Sequence, residues 1–213
     1  MKTWSEDNPK AGLMARKRAL IVGAAMKAFL EAGYADSSVN HIAAAAGVSI
    51  KTLYRHFESK DELFTAVIQT ACGEAADADP TEPPDWYADA PAEALPRAGA
   101  GYLRHILSAD QLALYRVVTR DAPRFPELGR RYLEETASPR DARFAGYLER
   151  WGKKEKWKVR DGHAAARSFA GLLKAGIYDE ALLGLSKPSD DAITGQAQRA
   201  SQAMLALLRG GYV

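Results

Sequence analysis

Apolar residues recur every three or four positions along most of the chain, which is the spacing of one face of an α-helix. The first clear pattern starts at Arg16, covers Ile21 to Phe29 and ends at Gly33, a residue type common at helix C-termini. No convincing alternation typical of β-strands is present. We therefore predict an all-α protein, with a disordered N-terminal arm over residues 1–14.

Two short helical patterns follow in SSVNHIAAAAGVSIKTLYRHFESKDEL, residues 37–63, and a sharp stop at Gly47 separates them. Ser38 is the predicted N-cap of the first and Ser49 that of the second. Val48 and Leu53 have the spacing of a hydrophobic staple, which fixes the angle at which the second helix begins. The stretch from 38 to 57 is thus a predicted helix-turn-helix.

The second helix of this motif is predicted to bury Leu53 and Phe57, which lie four positions apart. Its other side chains then face outward, and a helix of this width fits the major groove of DNA. In SKDE, Ser59 and Glu62 form the predicted capping box of a fourth helix. A DNA-binding domain over residues 15–75 follows from these patterns.

The remainder is predicted to be a helical body over residues 77–213. Residues 77–96 are rich in proline and acidic residues and read as a linker or long loop. Helical patterns resume at about 97–109, 111–121, 127–136, 139–156, 162–184 and 190–209, separated by prolines such as Pro139.

Composition and charge narrow the function. The 213 residues carry a net charge of only +2, but residues 10–60 hold eight basic and three acidic side chains. This concentration of positive charge is typical of a small nucleic-acid-binding domain on a near-neutral body. Packaging proteins, which bind DNA without specificity, generally need more positive charge than this.

The sequence shows no sign of a membrane-spanning or secreted protein, a metal-binding protein or an enzyme. No apolar run is long enough to span a bilayer and no signal peptide is recognisable, so we expect a cytoplasmic protein. The single cysteine, Cys72, excludes an intrachain disulfide and a cysteine metal cluster; it is either a small buried hydrophobe or a redox-sensing thiol. His105 and His163 lack ligand-spaced partners, so no metal site is expected. We find no catalytic motif, and expect neither an enzyme nor a cofactor.

The N-terminal stretch IVGAAMKAFLEAGYADSSVNHIAAAAGVSIKTLYRHFESKDELFTAVI resembles the TetR (tetracycline-repressor) family of bacterial transcriptional regulators over about residues 16–68. Its most specific part is AAGVSxxTLYRHFxSKxxL. His41 departs from the acidic or long polar residue that the family often has there. The stretches LYRVVTRDAPRFPELGRRYLE and AAARSFAGLLKAGIYDEALLGL resemble the ligand-binding domain of AefR-type members.

The resemblance implies an all-helical homodimer with a three-helix DNA-binding head, a connecting fourth helix and an effector-binding body. It implies base contacts from the start of the second helix of the motif, and phosphate contacts around them. Lys and Arg suit guanine acceptors, an exposed Ile suits a thymine methyl, and hydroxyl groups suit phosphate oxygens. Ser49 caps this helix and belongs to the same DNA-binding set. Base contacts are expected from Ile50, Lys51 and Arg55, and phosphate contacts from Ser38, Thr52, Tyr54, His56 and Lys60.

Several of these residues have an alternative role in packing. Tyr54 could cover the edge of the small core, and His56 could fill space beside Leu53. Lys60 opposes the dipole of the helix it begins, so a cation there needs another reason, of which a nearby phosphate is one. Arg16, Lys17 and Arg18 are either near a phosphate or simply solvated.

The body is predicted to provide a dimer interface and a ligand pocket. Two apolar stripes on the last helices are expected to form a symmetric four-helix interface, unless both pack inside one subunit. The interface residues would be Leu172, Ile177, Leu182, Ala197, Ala200, Met204 and Leu208. Side chains of the middle helices either line an apolar cavity or form ordinary core. The pocket residues would be Tyr102, Ile106, Tyr115, Val118, Phe125, Phe144, Tyr147, Trp151, Phe169 and Leu173.

The sequence thus predicts a regulator that binds a double-stranded, palindromic DNA operator as a homodimer. We expect a repressor that an unidentified small molecule releases. A ligand-independent regulator or an activator of the same fold is the alternative.

Overall fold

A computed structural model describes residues 9–73, 84–157 and 159–213 of the chain. These residues form helices and connecting segments with no β-strand among them, which confirms the predicted all-α fold. The chain divides into two compact units, one of Met1–Glu74 with Ala113–Glu135 and one of Ala75–Leu112 with Thr136–Val213. The predicted domain boundary after residue 75 stays a prediction, because it falls in a segment outside the described residues.

The first unit contains four N-terminal helices and parts of two later ones. The helices are α1 (Pro9–Asp36), α2 (Val39–Ala45), α3 (Ile50–His56) and α4 (Lys60–Gly73), followed by most of α6 (Ala109–Asp121) and the beginning of α7 (Pro126–Glu155). α1 packs against both α2 and α4. The core is a single apolar cluster to which α6 also contributes, and it includes Ile21, Phe29, Ile42, Leu53, Phe64, Leu114 and Val118.

The second unit is built around the pairing of α5 with the last helix. It contains a 3-10 helix (Asp85–Ala88), α5 (Pro91–Ile106), the rest of α7, α8 (Gly162–Lys174), α9 (Ile177–Leu182) and α10 (Asp190–Gly210). Its core includes Leu95, Leu103, Phe144, Tyr147, Phe169 and Met204. No helix within the described ranges is both long and apolar enough to cross a membrane.

Helical structure begins earlier than predicted in two places. α1 starts at Pro9, inside the predicted disordered arm, of which residues 1–8 lie outside the described residues. α5 starts at Pro91, inside the predicted loop 77–96, of which residues 77–83 are also outside the described residues. Proline is favourable at the first position of a helix because the amide hydrogen it lacks has no helical partner there. Burial of Ala94 and Leu95 then holds this first turn of α5 in place.

Pro139 does not end a helix, contrary to the prediction of separate helices at 127–136 and 139–156. α7 runs unbroken through it. An interior proline forfeits one backbone hydrogen bond and costs about 3 kcal/mol. Burial on both sides offsets this cost, with Leu128 in the first core and Phe144, Tyr147 and Leu148 in the second.

The predicted helix 162–184 is two helices. α8 ends at Lys174 and α9 begins at Ile177, because Gly176 adopts a φ of 78° that ends the regular helix. Asp161 caps α8, its carboxylate accepting a hydrogen bond from the Ala164 amide at 3.0 Å.

The apolar stripe of α10 faces the core of its own subunit. Ala197, Ala200, Met204 and Leu208 are all buried in the second core, and α10 packs along α5. These four side chains are therefore covered within one subunit, and their place in a dimer interface stays a prediction. Leu172, Ile177 and Leu182 are half-buried, and their place in an interface stays a prediction.

Candidate nucleic-acid interface

The α2–turn–α3 motif is held by the residues expected to hold it. The hydroxyl oxygen of Ser38 accepts a long hydrogen bond of 3.5 Å from the His41 amide, and that of Ser49 accepts one of 3.1 Å from the Thr52 amide. Gly47, with a φ of 66°, makes the turn between the helices. These caps and this turn confirm the local structure predicted for residues 38–57.

The inner side of α3 anchors it to the first core. Leu53 and Phe57 are buried, Val48 is half-buried beside them, and α2 packs against α3 through Ile42 and Ala43. The guanidinium of Arg18 on α1 lies 5.1 Å from the centre of the Phe57 ring, a cation–π distance. α3 therefore has a fixed rotation, which decides which side chains point outward.

The outer side of α3 is open. Ile50 is 38% exposed and Tyr54 is 50% exposed, and both Lys51 and Arg55 are exposed beside them. The packing alternative for Tyr54, as a cover for the core edge, does not describe a side chain this accessible. An exposed isoleucine and an exposed tyrosine next to two cations form a surface that combines apolar, hydroxyl and positive groups.

The hydroxyl groups near the start of α3 are close together. The hydroxyl oxygens of Ser49 and Thr52 are 2.9 Å apart and share a hydrogen bond. Ser49 and Ser38 are exposed, whereas Thr52 is half-buried. The two helix starts therefore present Ser38 at α2 and the Ser49–Thr52 pair at α3.

His56 is placed differently from its neighbours on α3. It is half-buried, and its Nε2 atom is enclosed without a hydrogen-bond partner among the described residues. Burial, and then the positive charges of Arg55, Arg18 and Lys17, lower the pKa of His56. The lowered pKa disfavours a positive charge on the imidazole at this surface.

Lys60 has two partners within the protein. Its Nζ donates a hydrogen bond of 3.3 Å to the carbonyl of Ala35 and lies 4.7 Å from the centre of the Tyr34 ring. Burial lowers the pKa of Lys60, while nearby Asp36, Asp121 and Asp61 act in the opposite direction. These contacts explain a cation at the start of α4 without a phosphate.

The C-terminal end of α1, around the kink at Gly33, is held by the end of α6, a contact that the sequence did not suggest. The buried carboxylate of Asp121 accepts hydrogen bonds from the amides of Tyr34 at 2.6 Å and Ala35 at 3.3 Å. Arg120 pairs with Asp121 at 2.9 Å and donates to the carbonyl of Ala32 at 3.2 Å. We call these two residues and the backbone of residues 32–35 the α6 clamp.

Several features tighten the α6 clamp. The Arg120 pair, together with the two backbone amides, holds the pKa of Asp121 below its usual range. The Tyr34 hydroxyl donates to Asp61 on α4, and the Tyr34 ring packs edge-on against Phe64 and Phe125. Contacts between residues some 87 positions apart leave no local pattern in a sequence, which is why this clamp was not predicted.

The residues predicted to line a ligand pocket divide between the two units. Tyr115, Val118 and Phe125 belong to the first. The other seven belong to the second, where Phe144 stacks on Phe169 with ring centres 5.1 Å apart and Tyr147 donates to the carbonyl of Asp89 at 2.9 Å. Phe144, Tyr147, Phe169 and Leu173 are buried core residues. A pocket lined by the whole set stays a prediction.

This geometry defines the class of the protein: a helix-turn-helix regulator whose second motif helix is anchored on one side and open on the other. Residues 21–67 match the family described as bacterial regulatory proteins, tetR family. Residues 93–208 match the family described as AefR-like transcriptional repressor, C-terminal domain. The chain belongs to the TetR family of transcriptional regulators, in the group with an AefR-like C-terminal domain.

Solved structures agree with this assignment. A protein assigned to the TetR family from Mesorhizobium loti is similar with a TM-score of 0.77 and 25% identity, over 91% of this chain and 97% of that one. The flavonoid-responsive regulator FrrA is similar with a TM-score of 0.76 and 30% identity, over 90% of this chain and 96% of that one.

A curated relative matches about a quarter of the chain. The HTH-type transcriptional activator FasR of Mycolicibacterium smegmatis is 43% identical over 53 residues, which are 25% of this chain and 24% of that protein. The chain therefore aligns with about a quarter of the length of this relative.

Proposed function

We propose that the protein binds a specific double-stranded operator through the exposed side of α3 and represses transcription until a small molecule releases it. The observation that supports this most directly is the orientation of α3. Leu53 and Phe57 are buried while Ile50, Lys51 and Tyr54 are exposed. A helix anchored in this way can enter the major groove without rearrangement.

The side chains divide into two chemical roles under this proposal. Lys51 and Arg55 donate to guanine acceptors, and Ile50 contacts a thymine methyl group. Ser38, the Ser49–Thr52 pair and Tyr54 donate to phosphate oxygens, which position the helix without selecting a sequence. His56 and Lys60 are proposed to play a smaller part than the sequence suggested, because the pKa of His56 is lowered and Lys60 is engaged within the protein.

The operator is proposed to be palindromic and the protein a homodimer, as dimerisation places two copies of α3 on one duplex. The best candidates for the interface lie around α9, since the stripe of α10 is occupied. Leu183 is 72% exposed and Leu185 is 76% exposed, directly after the half-buried Leu182. Large exposed apolar side chains next to one another are typical of interaction surfaces.

The direction of regulation is inferred from the descriptions of similar proteins. The AefR-like match is to a family described as repressors, and FrrA is named flavonoid-responsive, which together favour a repressor that responds to a small molecule. FasR is named an activator, so activation is the second candidate. A transcriptional reporter in cells with and without the protein distinguishes the two. Either role places the protein in the cytoplasm with the DNA.

Release by a ligand requires coupling between two binding events. A ligand that prefers a conformation unsuited to DNA must lose affinity when DNA is bound. A coupling of about 1–3 kcal/mol changes affinity roughly 5–150-fold. α4 packs against α1, and the α6 clamp holds the C-terminal end of α1, so either can transmit such a change to the DNA-binding helices.

A mobility-shift assay against DNA flanking the protein's own gene tests DNA binding. Affinity for one flanking fragment should exceed that for a shuffled duplex and fall steeply as salt rises, since phosphate contacts release counterions. Lys51→Ala and Tyr54→Ala should each weaken binding about tenfold, and Lys153→Ala, which removes an exposed lysine of α7, should not.

Far-ultraviolet circular dichroism of each variant confirms that it is folded. Wild-type affinity in both folded α3 variants, together with clear binding by the wild-type protein, would show that another surface contacts the operator.

A further inference from the structure

Two arginine side chains share one buried carboxylate in the second unit. Asp141 on α7 is buried and pairs with Arg140 through Nε at 2.9 Å and Nη2 at 2.5 Å, both to the same oxygen. Its other oxygen lies 3.7 Å from Nε of Arg167 on α8. One negative charge is thus shared by two guanidinium groups.

Lys174, at the end of α8, adds a third positive charge. It is half-buried, and within the described part of the chain no carboxylate oxygen lies within 4.0 Å of its Nζ. Its Nζ lies 5.7 Å from the centre of the Tyr178 ring. Burial and then the charge of Arg140 lower the pKa of Lys174, while Asp179 and Asp141 act in the opposite direction with smaller effect.

The local charge is therefore unbalanced. Arg140, Arg167 and Lys174 carry three positive charges, against two negative charges on Asp141 and Asp179. A positive charge that is partly removed from water without a close partner is costly. Proteins usually compensate such a charge with a counterion or a hydrogen-bonded acid. Nothing in the described residues provides one for Lys174.

Arg140 is fixed in an orientation that leaves part of its guanidinium free. Its Nη1 donates to the Tyr102 hydroxyl at 2.8 Å, and its Cζ lies 5.1 Å from the centre of the Tyr102 ring. An arginine carries five N–H donors, of which Asp141 and Tyr102 engage three. Within the described ranges, one N–H on each terminal nitrogen has no acceptor, the arrangement that pairs with a planar carboxylate.

We propose that Arg140 and Lys174 form a site for the carboxylate of a small organic acid with an apolar body, and that this acid is the regulatory ligand. The inference rests on the proposed function, because only a DNA-binding regulator gives the acid something to control. Two positive groups bind the carboxylate, and the rings of Tyr102 and Tyr178 beside them favour an apolar body. An inorganic anion would use only the two positive groups and not the tyrosine rings.

Matched acids and amides test the ligand class without DNA. We would measure binding of phenylacetate against phenylacetamide, decanoate against decanamide, and inorganic phosphate, by isothermal titration with the full chain. At least one acid should bind at least about tenfold more tightly than its amide and than phosphate, because hydrogen bonds to charged groups are the strong ones. If no acid exceeds its amide, or if phosphate binds equally well, the proposal is overturned.

Lys174→Gln tests the site. It should weaken binding of the preferred acid about tenfold or more, while Lys153→Gln, which removes an exposed lysine of α7, should leave it unchanged. Without ligand, Lys174→Gln should raise the melting temperature at low salt, because it removes an unbalanced charge. Unchanged acid binding in Lys174→Gln would overturn the assignment, whatever the stability.

The regulatory role of the acid is tested by measuring operator affinity with and without it. The preferred acid should change operator affinity of the wild-type protein at least about fivefold and leave that of Lys174→Gln unchanged. Acid binding that depends on Lys174 but leaves operator affinity unchanged would overturn its role as the regulatory ligand. Absence of operator binding in every condition would instead contradict the proposed function, independently of the acid titrations.

Discussion

Gly33 is the position where a single methyl group should be most damaging to the first unit. Its backbone lies at φ 85° and ψ 177°, a region that residues with a Cβ atom rarely enter. A Cβ atom there would lie 1.1 Å from Nη2 and 2.4 Å from Cζ of Arg120, and 3.0 Å from Oδ2 of Asp121. Gly33→Ala therefore perturbs both the backbone and the α6 clamp.

The cost has two parts that can be estimated separately. Holding alanine in this backbone conformation costs about 1–3 kcal/mol. Expelling the Arg120 side chain loses its bonds to the Ala32 carbonyl and to Asp121, about 1 kcal/mol after allowance for solvent, because that side chain is 55% exposed. We expect Gly33→Ala to lower the free energy of unfolding of the first unit by about 2–4 kcal/mol.

Amide hydrogen exchange measured by NMR is the appropriate assay, because it reports each unit separately. Protection should fall in the first core, for example at Leu53 and Phe64, and persist in the second, at Leu103. Gly23→Ala is the matched control. Gly23 lies in α1 with no atom within 4 Å of its added Cβ, so this change should stabilise by about 0.5–1 kcal/mol.

A double-mutant cycle separates the two parts. Once Arg120→Ala has removed the obstructing guanidinium, Gly33→Ala should cost about 1 kcal/mol less than it does in the wild-type background. Equal protection in Gly33→Ala and Gly23→Ala would refute the backbone argument. If the free-energy costs of Gly33→Ala and Arg120→Ala simply add, the proposed clash between the added Cβ and the Arg120 side chain is refuted.

Three further results are expected. The folded-state pKa of Asp121 is depressed, so its contribution to stability should be complete above its unfolded pKa of about 3.9 and be lost as pH falls through the lower folded value. Asp121→Asn should therefore reduce the loss of stability at acid pH, measured as the free energy of unfolding against pH. The same loss of stability in the variant would contradict this contribution of Asp121. Lys60→Met should weaken operator binding less than Lys51→Ala in the mobility-shift assay, since Lys60 is engaged by the protein; a larger loss would restore its predicted phosphate contact. Leu185→Asp should shift the dimer towards monomer in analytical ultracentrifugation, and an unchanged sedimentation profile would exclude this loop from the interface.

The head could be predicted from the sequence because its determinants are local. Ser38, Ser49 and Gly47 act within a few residues of themselves, and the spacing of Leu53 and Phe57 fixes the buried side of α3. The capping box at α4 was partly right. Ser59 accepts from the Glu62 amide at 3.1 Å, but the Glu62 carboxylate accepts from the amide of Glu58 at 2.5 Å and not from that of Ser59.

The fold of the helical body was harder to predict, because the residues that pack together in it are distant in the sequence. Periodicity marked the apolar stripe of α10 but could not say whether α5 or a second subunit covers it. Pro139 and the proline-rich stretch 77–96 were interpreted by local rules that burial of other residues overrides. The α6 clamp depends on Asp121 meeting the Tyr34 amide, and the carboxylate site proposed at Arg140 and Lys174 depends on two different helices.

The proposed function depends most on contacts between α3 and the DNA bases. The sequence specificity of the Lys51→Ala variant measures these contacts directly. Wild-type protein and variant would be compared against a library of operators in which each base pair is substituted in turn. We predict that the variant loses discrimination at one base-pair position in each half-site and keeps it elsewhere, with a cost of about 1–3 kcal/mol at that position. An unchanged specificity profile at every position would contradict the account.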